Sequence, residues 1–249
     1  IEQYQSILDS VDFVEISIEQ YCEVPGMPHS QVILHNERLR WSLADPEAID
    51  ERWIASVRDC IGETGSPWFS VHLGFASEAV RFEDHMLPES EPLDREALLK
   101  RFTENLTRAR DACPVPLIVE NLDYCPEGAY EHVCEPQFIR SIAEAAGVGL
   151  LLDIGHLQVS ASWLGFDVFE ALDVMPLDRV CEIHISSPRP LDGHGTKLDD
   201  VHERLQQRDL DILTGVLSRT TPAAITLEYR RNPELILEEL GSIQAILNK

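Results

Sequence analysis

In this chain, residues of the metal-ligand type close one short apolar run after another. VILH ends in His35, WFSVH in His72 and LIVE in Glu120. GLLLDIGH carries Asp153 and His156, VCEIH ends in His184, and AITLE ends in Glu228. Asp192-Gly-His194 follows His184 in the next loop. A parallel barrel aims the C-terminal ends of its strands at one active site, so polar residues at successive strand ends are its signature. The runs cover 11–17, 31–35, 68–74, 116–121, 149–155, 179–186 and 223–229, and helical stretches separate them. They are apolar without alternation, as strands buried on both faces are.

This order predicts one α/β domain spanning 1–249, a (β/α)8 TIM barrel, and 249 residues suit a single barrel of that kind. Only seven runs are found where a closed barrel needs eight strands. Residues 1–9, IEQYQSILD, read as a helix, and such a helix normally follows a strand. The first strand is therefore expected upstream of residue 1. Two connections, 73–92 and 121–135, are long. They carry Phe75, Phe82, Asp84, His85, Met86, Tyr124, Tyr130 and His132, and read as walls of a substrate cavity.

Charge narrows the partners. The chain has 44 acids against 20 bases, a formal net charge of −24. Nucleic-acid binding rests on Lys and Arg neutralising phosphates, so no nucleic-acid or anionic-membrane partner is expected. No apolar run approaches the ~20 residues that cross a bilayer. No signal-peptide pattern opens the sequence, and a cytoplasmic location is the expectation. The six cysteines form no CxxC motif and are expected as free thiols. Cys125 and Cys134 flank CPEGAYEHVC and are the one pair considered for redox pairing, with unpaired loop cysteines preferred.

The nine residues His35, His72, Glu120, Asp153, His156, His184, Asp192, His194 and Glu228 are too many for one ion taking four to six ligands. They predict a cavity holding two or three ions. An imidazole and carboxylate set without thiolate suits iron, zinc or manganese. Taken singly, each residue has a structural reading: a hydrogen-bonded strand-end histidine, a turn cap at Glu120, a helix N-cap at Asp153. Taken jointly they point to metal, because five of the nine histidines sit in these motifs. His29, His85, His132 and His202 lie outside them and are assigned to surface or substrate-loop roles. Glu15 ends the first run and is read as an acid that orients a ligand from behind.

In order and local spacing this set resembles the trinuclear zinc pattern of endonuclease IV, within the xylose-isomerase-like barrel superfamily. DFVEISIEQY, WSLADPEAIDERW, FSVHLGFAS, LIVENLDY, EPQFI, GLLLDIGHLQVSA, PLDRVCEIHIS and LEYRRNPEL resemble a narrower group. That group is the multinuclear non-haem iron-dependent oxidative enzymes of the methanobactin-biosynthesis type, which modify cysteines in ribosomally made peptides. The resemblance covers most of the chain. It departs at Gly155-His156, where the family commonly has two asparagines. It departs at Asp192-Gly193-His194, where the family usually has Asp-Thr-His, and at Ser186-Ser187-Pro188, where a glycine and histidine are frequent.

The resemblance implies an iron-dependent oxidative enzyme acting on a small or peptide substrate, with a partner protein as a further expectation. The alternative is a divalent-metal sugar or sugar-phosphate isomerase or epimerase, in which Glu120 or Glu228 moves a proton beside a metal-polarised carbonyl. Phosphodiester hydrolysis is permitted by the ligand set and opposed by the charge. A non-catalytic metal-binding barrel is opposed by the aromatic loops.

Overall fold

The computed structural model describes residues 5–23, 32–36, 41–83 and 85–248; Gln31, His29 and Asp84 of the sequence reading lie outside them. The strands are β1 (Val14–Ser17), β2 (Val32–Asn36), β3 (Phe69–His72), β4 (Val80–Phe82), β5 (Met86–Pro88) and β6 (Leu117–Glu120). They continue with β7 (Gly149–Asp153), β8 (Val180–Ile185), β9 (Ser187–Pro190), β10 (Leu198–Glu203) and β11 (Ala224–Leu227). The helices are α1 (Gln5–Leu8), α2 (Ile18–Glu23), α3 (Glu51–Thr64), α4 (Arg95–Ala112), α5 (Pro136–Ala146), α6 (Ile154–Leu164), α7 (Val168–Val174), α8 (Gln207–Leu217) and α9 (Pro233–Leu247).

Seven strands form one parallel sheet in the order β1-β2-β3-β6-β7-β8-β11, and helices intervene as βα units require. The sheet is a nearly closed barrel, with β1 and β11 as its two edges among the described residues. Each of the seven apolar runs became one of these strands. The helices that follow are cut by local signals. Asp50 caps α3 by accepting from Trp53 N at 2.7 Å, and Gly65, at φ 68°, ends it in the left-handed region. Trp53, Ile54, Val57, Cys60 and Ile61 give α3 one buried face at helical spacing.

Side chains alternate across a strand, and here the parity does the positioning. Ile33, Trp68, Ile118 and Leu151 pack together as a plug inside the barrel. Two residues further along β2, β6 and β7 come His35, Glu120 and Asp153, and four beyond Trp68 comes His72. Register fixes the layer: Ser17 pairs with His35, His72 with Glu120, and Asp153 with His184. An apolar layer thus lies beneath a polar one, as stacked barrel interiors do.

Two antiparallel hairpins extend the C-terminal face, β4 with β5 and β9 with β10. Neither is evident from periodicity. The first forms inside the long 73–92 connection. The second takes residues 198–203 of the stretch between the sixth and seventh runs as a strand paired with β9, and the helix there begins only at Gln207. Gln206 and Asp209 form its capping box.

Candidate metal centre

Seven of the nine expected ligands converge at the C-terminal end of the barrel, and two do not. His35, Glu120, Asp153, His156, His184 and Glu228 are buried, and His72 is partly buried. Asp192 and His194 lie exposed in the turn joining β9 to β10. The Asp-x-His pair that reaches the cluster is Asp200-Val201-His202, on β10 itself. It has the spacing that drew attention to Asp192, but the first pair stays on the exposed turn, where His194 lies beside Trp163 and lines the cavity, and the second pair reaches the ligand cluster. The pairing slips between Asp199 and Glu203, and His202 takes φ 48°. A bulge of this kind re-aims a side chain at local cost, and such outliers gather at functional sites.

Five overlapping triads present ligand atoms close enough for one ion each: His35/His72/Glu120, Glu120/Asp153/His156, Asp153/His184/Glu228, His156/Asp200/His202 and Glu15/Glu182/His184. Hydrogen bonds decide which ring nitrogens are available. His35 Nδ1 lies 2.7 Å from Ser70 Oγ, and its Nε2 lies 3.3 Å from both His72 Nε2 and Glu120 Oε2. His156 Nδ1 donates to the Asn121 carbonyl at 2.8 Å, leaving Nε2 to face Asp200 Oδ2 at 3.8 Å. That bond takes His156 out of the Glu120/Asp153 triad and assigns it to Asp200/His202. His184 Nε2 bonds Glu15 Oε2 at 2.6 Å, and its Nδ1 faces Glu120 at 3.4 Å and Glu228 at 3.5 Å. In Glu15/Glu182/His184 the Glu182 oxygens are already taken by Trp68 Nε1 at 2.7 Å and Thr226 Oγ1 at 2.6 Å.

Three subsites remain, joined through carboxylates: His35/His72/Glu120, Asp153/His184/Glu228 and His156/Asp200/His202. Glu228 Oε2 lies 3.4 Å from His202 Nε2 and so links the last two. Each of His35, His156 and His184 has its outer nitrogen held by a protein acceptor, the arrangement that orients metal-binding imidazoles.

The donor set fits a cation. Asp153 Oδ2, His184 Nδ1, Asp200 Oδ1 and Glu228 Oε2 are buried and make no hydrogen bond among the described residues. In the ion pairs of the described residues, Glu120, Asp153, Asp200 and Glu228 are met only by histidines. Buried carboxylates without a fixed cation are costly unless protons or metal ions neutralise them. Burial and neighbouring charge compete within the cluster. Burial pushes Asp153 well above the usual carboxylate range. Burial also acts to raise Glu120, but His72 and His184 outweigh it and hold that carboxyl well below. Burial opposes charge on His156, yet Asp153 and Asp200 lift it well above its ordinary value. Burial alone dominates at His35, whose imidazole falls to about 3. Protons therefore sit where metal ions would replace them, and metal binding would release them.

Above this layer opens a cavity of about 1270 Å³. Its walls include Trp41, Phe75, Phe82, Tyr124, Asp199 and Arg231. Both long connections contribute, as their aromatic content suggested. Cys125 and Cys134 are free thiols in the structure.

Fold and site together define a xylose-isomerase-like barrel with a multi-residue His/carboxylate cavity at its strand ends. A D-tagatose 3-epimerase-like protein superposes with a TM-score of 0.65 at 14% identity, covering 100% of this chain and 93% of that one. Endonuclease IV from Thermus thermophilus gives 0.56 at 19% identity, covering 99% and 93%. These likenesses carry the fold. The sequence profile of the RiPP precursor modification enzymes MbnB/TglH/ChrH matches residues 1–248, and the chain belongs to that family. A UPF0276 protein of Bordetella pertussis is 30% identical over 263 residues, covering 99% of this chain and 90% of that protein. A UPF0276 protein of Streptomyces avermitilis is 31% identical across 97% of this chain, which spans only 52% of that protein's length. No helix of the described residues is long and apolar enough to cross a membrane.

Proposed function

We propose that this protein is an iron-dependent oxidative enzyme that binds two or three ions and modifies a peptide. The observation that carries the reading is the linked set of three ligand groups beneath an open cavity of about 1270 Å³. That volume exceeds the ~300–1,000 Å³ of ordinary small-molecule pockets and suits several residues of a peptide. Bound iron would supply oxygen activation and one-electron chemistry. His35, His72 and Glu120 would hold one ion, Asp153, His184 and Glu228 a second, and His156, Asp200 and His202 a third. The residues themselves orient and shield. Trp41, Phe75 and Tyr124 exclude water from one wall, and Glu228 stands where the last two subsites meet. Zinc or manganese fits the same donors, and a sugar isomerase or epimerase would use such an ion with Glu120 or Glu228 as the proton carrier.

The test is oxygen uptake by anaerobically purified protein loaded with ferrous iron and given a cysteine-bearing precursor peptide. Uptake with a mass change in the peptide, lost in Asp153→Ala, supports the proposal. Interconversion of a sugar by zinc- or manganese-loaded protein, with no uptake by iron-loaded protein, sinks it. A partner protein that presents the peptide at the cavity mouth belongs to the same proposal, as does a cytoplasmic location.

A further inference from the structure

Glu15 takes no part in the three subsites, yet it stands behind two of them. It projects from β1 into the barrel with a side chain 9% exposed. Its Oε2 lies 2.6 Å from His184 Nε2, and its Oε1 lies 3.6 Å from His35 Nδ1 without a hydrogen-bond partner among the described residues. The two ring nitrogens of His184 both face carboxylates, Glu15 on one side and Glu120 and Glu228 on the other. A neutral imidazole has a single N–H, so only one side can be donated to. Glu182, 3.8 Å from His184 Nε2, does not compete, because Trp68 and Thr226 occupy both its oxygens. The other two held histidines lean on neutral acceptors, Ser70 Oγ behind His35 and the Asn121 carbonyl behind His156. His184 alone among these three is backed at hydrogen-bond distance by a carboxylate.

We propose that Glu15 is the positioning residue of the Asp153/His184/Glu228 subsite: it accepts the Nε2–H of His184 and so commits Nδ1 to the metal. The inference rests on the metal reading of that subsite. A carboxylate behind an imidazole fixes the tautomer, locks the ring and raises the basicity of the free nitrogen. Loss of such a partner costs metal affinity by about 10- to 100-fold. A strand residue suits the task, because β1 holds Glu15 in fixed register against Ile33 of β2.

Zinc, which is redox-silent, is the probe. Its stoichiometry and affinity are measured by chelator competition on the wild type, Glu15→Gln and Glu15→Leu. The His184 tautomer is read by nitrogen-15 NMR of labelled imidazoles in the same samples. Glu15→Gln keeps an acceptor oxygen, so it is expected to retain Nε2–H and lose affinity at one subsite by about 10-fold. Glu15→Leu is expected to lose the tautomer and about 100-fold. A purely structural role would lower melting temperature without moving the tautomer. Wild-type affinity in Glu15→Gln together with an unchanged tautomer in Glu15→Leu overturns the proposal. If Glu15→Leu does not fold, wild-type affinity in Glu15→Gln overturns it alone. If the wild type itself takes up no zinc, the metal reading fails first.

Discussion

Replacing His202 by alanine is expected to remove one metal ion, while replacing His194 by alanine is expected to remove none. His202 Nε2 lies 3.2 Å from Asp200 Oδ2 and 3.4 Å from Glu228 Oε2, within the group that His156 completes. Structural zinc in peptides is held by about 10–16 kcal/mol, which across four ligands is roughly 2.5–4 kcal/mol each. At about 1.4 kcal/mol per tenfold, losing one ligand weakens that ion roughly 100- to 1,000-fold. His202 is 35% exposed at its side chain, so the lower end is expected. Asp200, at 14%, should fall nearer the upper end when changed to asparagine. His194 is exposed on the turn, where substitutions rarely exceed about 0.5 kcal/mol. The assay is elemental analysis after dialysis against a graded chelator, with circular dichroism to verify folding. Loss of an ion in His194→Ala, with full retention in His202→Ala, would refute the assignment.

Two further outcomes follow from burial and charge. His35 is driven by burial to about 3, below the ordinary ~6.5, so between those values the unfolded chain binds a proton that the native metal-free protein does not. Stability from this residue is complete above pH ~6.5 and drains as pH falls toward 3, at up to about 1.4 kcal/mol per pH unit. His35→Gln should flatten that part of the acid-unfolding curve, and an unaltered slope contradicts the shift. Trp68→Phe deprives the buried Glu182 of its 2.7 Å indole donor. A cost of about 1.5–3 kcal/mol is expected in denaturant melts, with metal stoichiometry intact, since Glu182 is not among the free ligands. A cost below ~0.5 kcal/mol would show that the bond adds nothing.

The barrel and most of its centre were legible in the sequence because both obey local rules. Apolar runs buried on two faces read as strands without any knowledge of their neighbours. Parity then placed His35, Glu120, Asp153, His184 and Glu228 on the inner face at strand ends, and these residues stand together in the structure. Glu15 was read as closing its strand, but it is the second residue of β1, level with Ile33, and it meets His184 from there. The choice between two Asp-x-His pairs, eight residues apart on one hairpin, was not legible. Asp192-Gly193-His194 and Asp200-Val201-His202 share chemistry and spacing, and only the second joins a ligand group once β9 and β10 pair. That outcome depends on a register slip and on the left-handed backbone at His202, which no side-chain pattern encodes. The assignment of His156 to one subsite likewise required the Asn121 carbonyl, a backbone atom 35 residues away in sequence. Sequence by itself determined which residue types reach the barrel's end. Tertiary packing decided which nitrogen and which of two equivalent pairs present their lone pairs there, because hydrogen bonds between distant segments set those directions.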